Sequence, residues 1–142
     1  VFTGIKRTAH DIARGYVNKL YKLKKSQILH ISSLVGDAEK ALINGDINNF
    51  GKLLHETWLE KKNLSLSITN SSIDEIYNNA VNKGAIGGKL LGAGGGGFFL
   101  FYVPYFRQKN FINYFRKLIT IPFKFSSEGS NILFKNIDKE II

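Results

Sequence analysis

From Ala9 onward the apolar residues fall at Ile12, Ala13, Tyr16, Val17, Leu20 and Leu23, and Ile28, Ile31 and Val35 continue the stripe as far as Gly36. Spacings of three and four place such residues on one helix face, so this stretch reads as one long amphipathic helix that stops at the glycine. Asp37 is placed to cap a short second helix through Leu42, and Gly45 ends it. Asp46 caps a third, whose Ile47, Phe50, Leu54 and Trp58 share a face. A fourth helix has the cleanest pattern. Ser72 with Glu75 has capping-box spacing, Ile73, Ile76, Tyr77 and Ala80 recur at helical intervals, and Gly84 stands at the stop.

After Gly84 the period changes. Gly97-Phe98-Phe99-Leu100-Phe101-Tyr102-Val103 is a short apolar run rich in aromatics, as a buried strand would be, and Pro104 closes it. Phe111, Ile112, Phe115, Leu118 and Ile119 predict one more helix. Residues 122–126 and 130–134 alternate in polarity and are joined by Glu128-Gly129, which predicts a hairpin. No repeat divides the chain. Residues 1–142 therefore read as a single α+β domain: an antiparallel sheet of about four strands with helices packed on one face.

Composition supports a packed domain and removes several chemistries. A chain of 142 residues with 44% hydrophobic positions can bury roughly 70% of its unfolded surface. It has no cysteine, which removes disulfides, thiol nucleophiles and thiolate metal sites and fits a cytoplasmic location. The longest mostly apolar stretch, residues 97–106, contains Pro104 and falls well short of the about 20 residues that a membrane helix needs. The opening Val1-Phe2-Thr3-Gly4-Ile5 looks like a strand cut open, and the chain has no Met, so the sequence reads as a fragment of something longer.

Charge points to an anionic partner. Twenty Lys and Arg against 11 Asp and Glu give a net +9, which favours nucleic acid, a phosphorylated metabolite or an acidic surface. Lys6, Arg7, Arg14, Lys19, Lys22, Lys24 and Lys25 face only Asp11 in the first 25 residues, where a solvated helix face is the favoured explanation of the excess. A nucleic-acid-binding module is the reading from a different class. Against it, the aromatics sit at core spacing, Phe111 with Phe115 and Phe123 with Phe125, and no RNP-type consensus is present.

Eight of the 14 glycines lie between Gly84 and Gly97, a density that chance composition does not produce. Consecutive glycines persist where backbone needs positive φ or close approach, and successive N–H groups in such turns form anion-binding nests. A tight hairpin packed under a helix would need the same residues. Gly92, Gly94 and Gly97 fit G-x-G-x-x-G, but the dinucleotide fingerprint opens a helix and here a strand follows. Gly88-Lys89 is followed by Leu90, which excludes a Walker A loop, and no protein-kinase H-R-D or D-F-G occurs. Leu59 stands where a zinc-protease pattern begun by His55-Glu56 needs its second His. His10 and His30 are lone histidines, and no metal site is expected.

The run Gly88-Lys89-Leu90-Leu91-Gly92-Ala93-Gly94-Gly95-Gly96-Gly97-Phe98 resembles the third motif of the GHMP small-molecule kinases, a glycine hairpin in their carboxy-terminal domain. Phe2-Thr3-Gly4, Trp58-Leu59-Glu60-Lys61-Lys62 with Leu64-Ser65, and Ile68-Thr69-Asn70 leading into Ile73-Asp74-Glu75-Ile76-Tyr77 resemble the sugar-phosphate branch of that family. The likeness covers essentially the whole chain. It implies a ferredoxin-like fold and ATP-dependent transfer of phosphate to the anomeric hydroxyl of a heptose 7-phosphate, with an L-fucose kinase as the alternative. ATP and Mg2+ would be held mainly by an amino-terminal domain whose Pro-x-x-x-Gly-Leu-Gly-Ser-Ser type loop this chain lacks, so these residues alone should give no turnover.

By the same resemblance, Gly92, Ala93, Gly94, Gly95, Gly96 and Gly97 would close on the nucleotide loop and the transferring phosphate, Gly94 and Gly95 nearest. Lys62, Lys89 and Arg7 are candidates for the substrate phosphate, although each also fits a helix-end, strand-edge or turn position. No catalytic acid or base is assigned. An apolar face left bare by the missing domain would make the isolated chain self-associate or bind hydrophobic dye.

Overall fold

The computed structural model describes residues 1–7, 24–123 and 129–131. The described elements run in the order α1 (Lys25–Ile43), α2 (Ile47–Lys62), α3 (Ser71–Asn82), β1 (Gly87–Leu90), β2 (Phe99–Tyr102) and α4 (Tyr105–Tyr114). This is an α+β arrangement in which β1 and β2 pair antiparallel, Gly87 opposite Tyr102 and Leu90 opposite Phe99. Of the four strands expected, two form regular strands among the described residues. Residues 1–3 add a short pairing on the other side of β2: Phe2 bridges Phe98, Val1 N and Phe99 N donate to each other's carbonyls, and Thr3 N donates to Gly97 O. Phe2 N donates onward to Ile119 O. The expected hairpin at residues 122–126 and 130–134 lies largely outside the described residues, as does the first part of the long basic helix with His10.

Three expected boundaries move. Gly36 does not break the first helix; α1 runs through it to Ile43. An interior glycine costs about 1 kcal/mol, and burial of Leu34 and Ala41 against Leu53 of α2 offsets it. Gly45 supplies the turn, and Asp46 caps α2 as expected, its carboxylate accepting from Asn49 N at 3.0 Å. The cap of α3 is Asn70, whose side chain accepts from Ile73 N at 3.0 Å, so the helix starts at Ser71 and the Ser72–Glu75 capping box is not used. The final helix begins directly after Pro104 and ends at Tyr114, because Phe111 and Phe115 alone of its apolar positions are buried while Ile112 and Ile119 face solvent.

Two apolar clusters hold these elements. Trp58, Ile68, Ile73, Tyr77, Leu90 and Phe99 form the first, with Trp58 edge-on to Phe99 at a centroid distance of 5.4 Å. Full burial of side chains this size contributes ~1.5–3 kcal/mol each. Ala80, Ala85, Val103, Phe111 and Phe115 form the second. Helix α2 lies so close along β1 that a Cβ on Gly87 would stand 2.0 Å from Gly51 O. Tyr77 ties the layers together, its hydroxyl 2.6 Å from His55 Nδ1 and bonded to the Gly88 backbone. Burial pushes its phenol up to about 12, so it stays protonated and serves packing. No helix among the described residues is long and apolar enough to cross a membrane.

Candidate functional site

At one end of the molecule the carboxy terminus of α2, the turn after it, the glycine hairpin and the amino-terminal segment come together. The hairpin joins β1 to β2, and four of its residues need the left-handed region: Gly92 (φ 73°), Gly94 (111°), Gly95 (73°) and Gly97 (97°). Its middle is buried between two supports. A Cβ on Gly94 would lie 3.0 Å from Ile68 Cα, and one on Gly96 would lie 2.5 Å from Ile5 O. Gly95 N donates to Ile68 O at 2.8 Å and Gly97 N to Ile5 O at 2.9 Å. The close-packing reading applies at Gly94 and Gly96, and that packing uses the N–H groups of Gly95 and Gly97. Among the described residues, no acceptor takes the N–H groups of Ala93, Gly94 or Gly96.

The support under the hairpin is built from the segment between α2 and α3. Ile68 is fully buried in the first cluster, which fixes the carbonyl that Gly95 uses. Ser65 O accepts from Ile68 N at 3.2 Å, and Ser65 Oγ lies 2.9 Å from Ser67 Oγ, so the turn is locked from within. Thr69 Oγ1 donates to Asp74 Oδ1 at 3.0 Å, and Asn70 caps α3. The amino-terminal support is fixed in the same way, with Thr3 Oγ1 donating to Gly97 O at 2.9 Å.

The basic candidates fare differently. Lys62 donates to Asp74 at 3.2 Å and lies over the Trp58 ring, so its charge is engaged within the fold. Arg7 is exposed, two residues beyond the Ile5 that supports the hairpin. Lys89 sits in β1, half-buried, next to the hairpin's start. The residue that sequence reasoning passed over is Lys61. Its ammonium donates to Leu90 O at 3.0 Å and to Gly92 O, bonding the end of α2 to the point where β1 becomes the loop. Burial, with the like charge of Lys89 adding to it, lowers this ammonium to about 8. A signal was present in the sequence: Lys61 follows the buried Trp58 by three residues and so shares its face.

Chemically, backbone N–H groups with no acceptor among the described residues, near the ammonium groups of Lys61 and Lys89, can donate to an oxyanion. Among the described residues, no group of three or more His, Cys, Asp or Glu side chains is placed to hold a metal ion.

These features define a known class. The family described as GHMP kinases C terminal matches residues 38–118, a span running from α1 past the hairpin and α4, and the chain belongs to that family. The D-glycero-alpha-D-manno-heptose 7-phosphate kinase of Campylobacter jejuni is 35% identical over 133 residues, covering 90% of this chain and 39% of that protein. A bifunctional fucokinase/GDP-fucose pyrophosphorylase of Arabidopsis thaliana is 31% identical over 70% of this chain, and an L-fucokinase/L-fucose-1-P guanylyltransferase of Bacteroides fragilis 32% identical over 68%. The chain spans 10% of each of the latter two. The crystal structure of L. major mevalonate kinase in complex with R-mevalonate superposes with a TM-score of 0.69 at 20% identity, over 83% of this chain and 37% of that one, which shows the shared fold.

Proposed function

We propose that the chain is the carboxy-terminal part of an ATP-dependent sugar-phosphate kinase that phosphorylates the anomeric hydroxyl of D-glycero-D-manno-heptose 7-phosphate, giving the 1,7-bisphosphate. The observation that carries this reading is the glycine hairpin. It is supported from both sides, and the N–H groups of Ala93, Gly94 and Gly96 have no acceptor among the described residues. Phosphoryl transfer depends on fixed donors and cations around the transferring group, and such a hairpin supplies fixed donors. ATP with Mg2+ supplies the phosphoryl group, and the metal would be held outside the residues described here. The hairpin orients phosphate oxygens and excludes water from them. Lys89 adds a point charge near the loop, and Arg7, exposed two residues beyond Ile5, is a second cation for a substrate phosphate. Because the nucleotide loop of the family is not among these 142 residues, turnover requires a nucleotide-binding domain. A cysteine-free chain that handles sugar phosphates and ATP fits the cytoplasm.

The heptose reading is preferred over a fucose kinase because the likeness to the heptose kinase extends over 90% of this chain, against 70% and 68% for the fucokinases. The test is ATP-dependent turnover of the whole protein that carries this chain, on D-glycero-D-manno-heptose 7-phosphate and on L-fucose, with the product read by phosphorus NMR. An anomeric phosphate on the heptose is expected. Faster turnover of L-fucose would replace the substrate, and no turnover of either would overturn the sugar-kinase reading.

A further inference from the structure

We infer that Lys61 is a positioning residue whose ammonium sets the register of the glycine hairpin by holding the carbonyls of Leu90 and Gly92. This rests on the kinase reading above and names a residue that the reading itself does not require. The two acceptors flank Leu91, the last residue before the chain enters the left-handed region at Gly92. One ammonium with three tetrahedral donors can bond both carbonyls at once, which a Met side chain of similar length, having no donor, cannot. Downstream, Gly95 and Gly97 are bonded to Ile68 and Ile5. Upstream, Leu91 N donates to Phe98 O, and Lys61 adds the side-chain hold on the carbonyls either side of that bond; between the two ends lie Ala93 and Gly94, whose N–H groups have no acceptor among the described residues.

The placement is costly, which marks it as more than packing. No carboxylate pairs with Lys61 among the described residues, and its nearest charged influence is the like charge of Lys89. The neighbouring Lys62, by contrast, has its carboxylate in Asp74. A half-buried cation on two carbonyls persists where a geometry must be held, and strongly perturbed groups cluster at functional sites.

The experiment compares the whole protein with its Lys61→Met variant. We expect a fall in kcat of roughly 10- to 100-fold, since displacement of a positioning loop by about 1 Å costs on that order, with little change in KM for the sugar phosphate. Lys61→Cys should lose the same rate and recover most of it when aminoethylation rebuilds a lysine-length ammonium; wild-type protein treated identically is the control. Should Lys61→Met fail to fold, Lys61→Arg keeps the charge at the helix end without the tetrahedral donor set, and at least a threefold loss of kcat at unchanged Tm is expected. Wild-type kcat per folded molecule in either variant, or no recovery on aminoethylation, would overturn the inference. Absence of wild-type turnover on any sugar phosphate would instead overturn the kinase reading, so the two failures are distinguishable.

Discussion

The molecule uses glycine in two regions for different reasons. Where α2 crosses β1, Gly51, Gly87 and Gly88 have ordinary backbone angles, and only space demands them: a Cβ on Gly51 would meet the Tyr102 ring at 2.6 Å, and one on Gly88 would meet Leu100 O at 2.4 Å. In the hairpin, Gly92 and Gly97 have open space around them, and only their positive φ demands glycine. Gly94 needs both the space and the dihedral. The first region is regular structure brought to contact distance. The second is irregular backbone held by neighbours, in which Gly95 N and Gly97 N are bonded and the N–H groups of Ala93, Gly94 and Gly96 have no acceptor among the described residues. The same composition signal therefore covers a packing joint and a turn held by its neighbours.

The largest expected effect lies at the joint. Gly87→Ala places a Cβ 2.0 Å from Gly51 O, a backbone atom that cannot rotate away. A loss of about 3 kcal/mol or more is expected, read as a drop in Tm of about 10 °C or more. A drop of only a degree or two would show that α2 is free to slide on β1 and would erase the distinction between the regions.

At the hairpin, Gly95→Val puts a branched residue at a φ of 73°, which costs about 1–3 kcal/mol of strain. In the whole protein kcat should fall roughly a hundredfold while most of the Tm remains. If Tm collapses and the surviving folded protein turns over normally, the hairpin is a structural turn like the joint.

A smaller effect follows from Lys61. Its ammonium is lowered from 10.5 to about 8 in the folded chain, so between pH 8 and 10 the unfolded chain binds the extra proton and rising pH favours the folded state. Tyr77, raised from 10.0 to about 12, acts in the opposite direction above pH 10, where the folded state keeps a proton that the unfolded one loses. Wild-type Tm should therefore gain a few degrees relative to Lys61→Met as pH rises from 7.5 to 9.5, while wild-type kcat falls over the same range as Lys61 loses its charge. Parallel Tm curves for the two proteins would remove the buried cation from the account.

The smallest effect tests a glycine that neither region uses. Gly36 lies inside α1 with nothing within 4 Å of a built Cβ. Gly36→Ala should stabilise by ~0.5–1 kcal/mol through helix propensity, a thermal shift of a few degrees with unchanged turnover. Destabilisation would reveal a constraint on α1 that its contacts do not show.

Much of this was legible from local pattern. Leu54 and Trp58 on the buried face of α2, the buried face of α3, the cap at Asp46, the aromatic strand closed by Pro104 and the glycine hairpin all depend on near neighbours in sequence, whereas Ile47, expected on the α2 face, is exposed. The family likeness rode on the same contiguous residues. What the sequence could not decide depended on partners distant along the chain. Gly36 reads as a stop, yet α1 continues because Leu34 and Ala41 find Leu53. Ser72 and Asn70 are both competent caps, and Asn70 is the one used where Ile68 is buried and Thr69 bonds Asp74. Lys61 and Lys62 are adjacent and alike in type. The fold gives one of them a carboxylate and the other the carbonyls of a loop about thirty residues away, because the angle between α2 and β1 is set by glycine contacts that no local periodicity encodes.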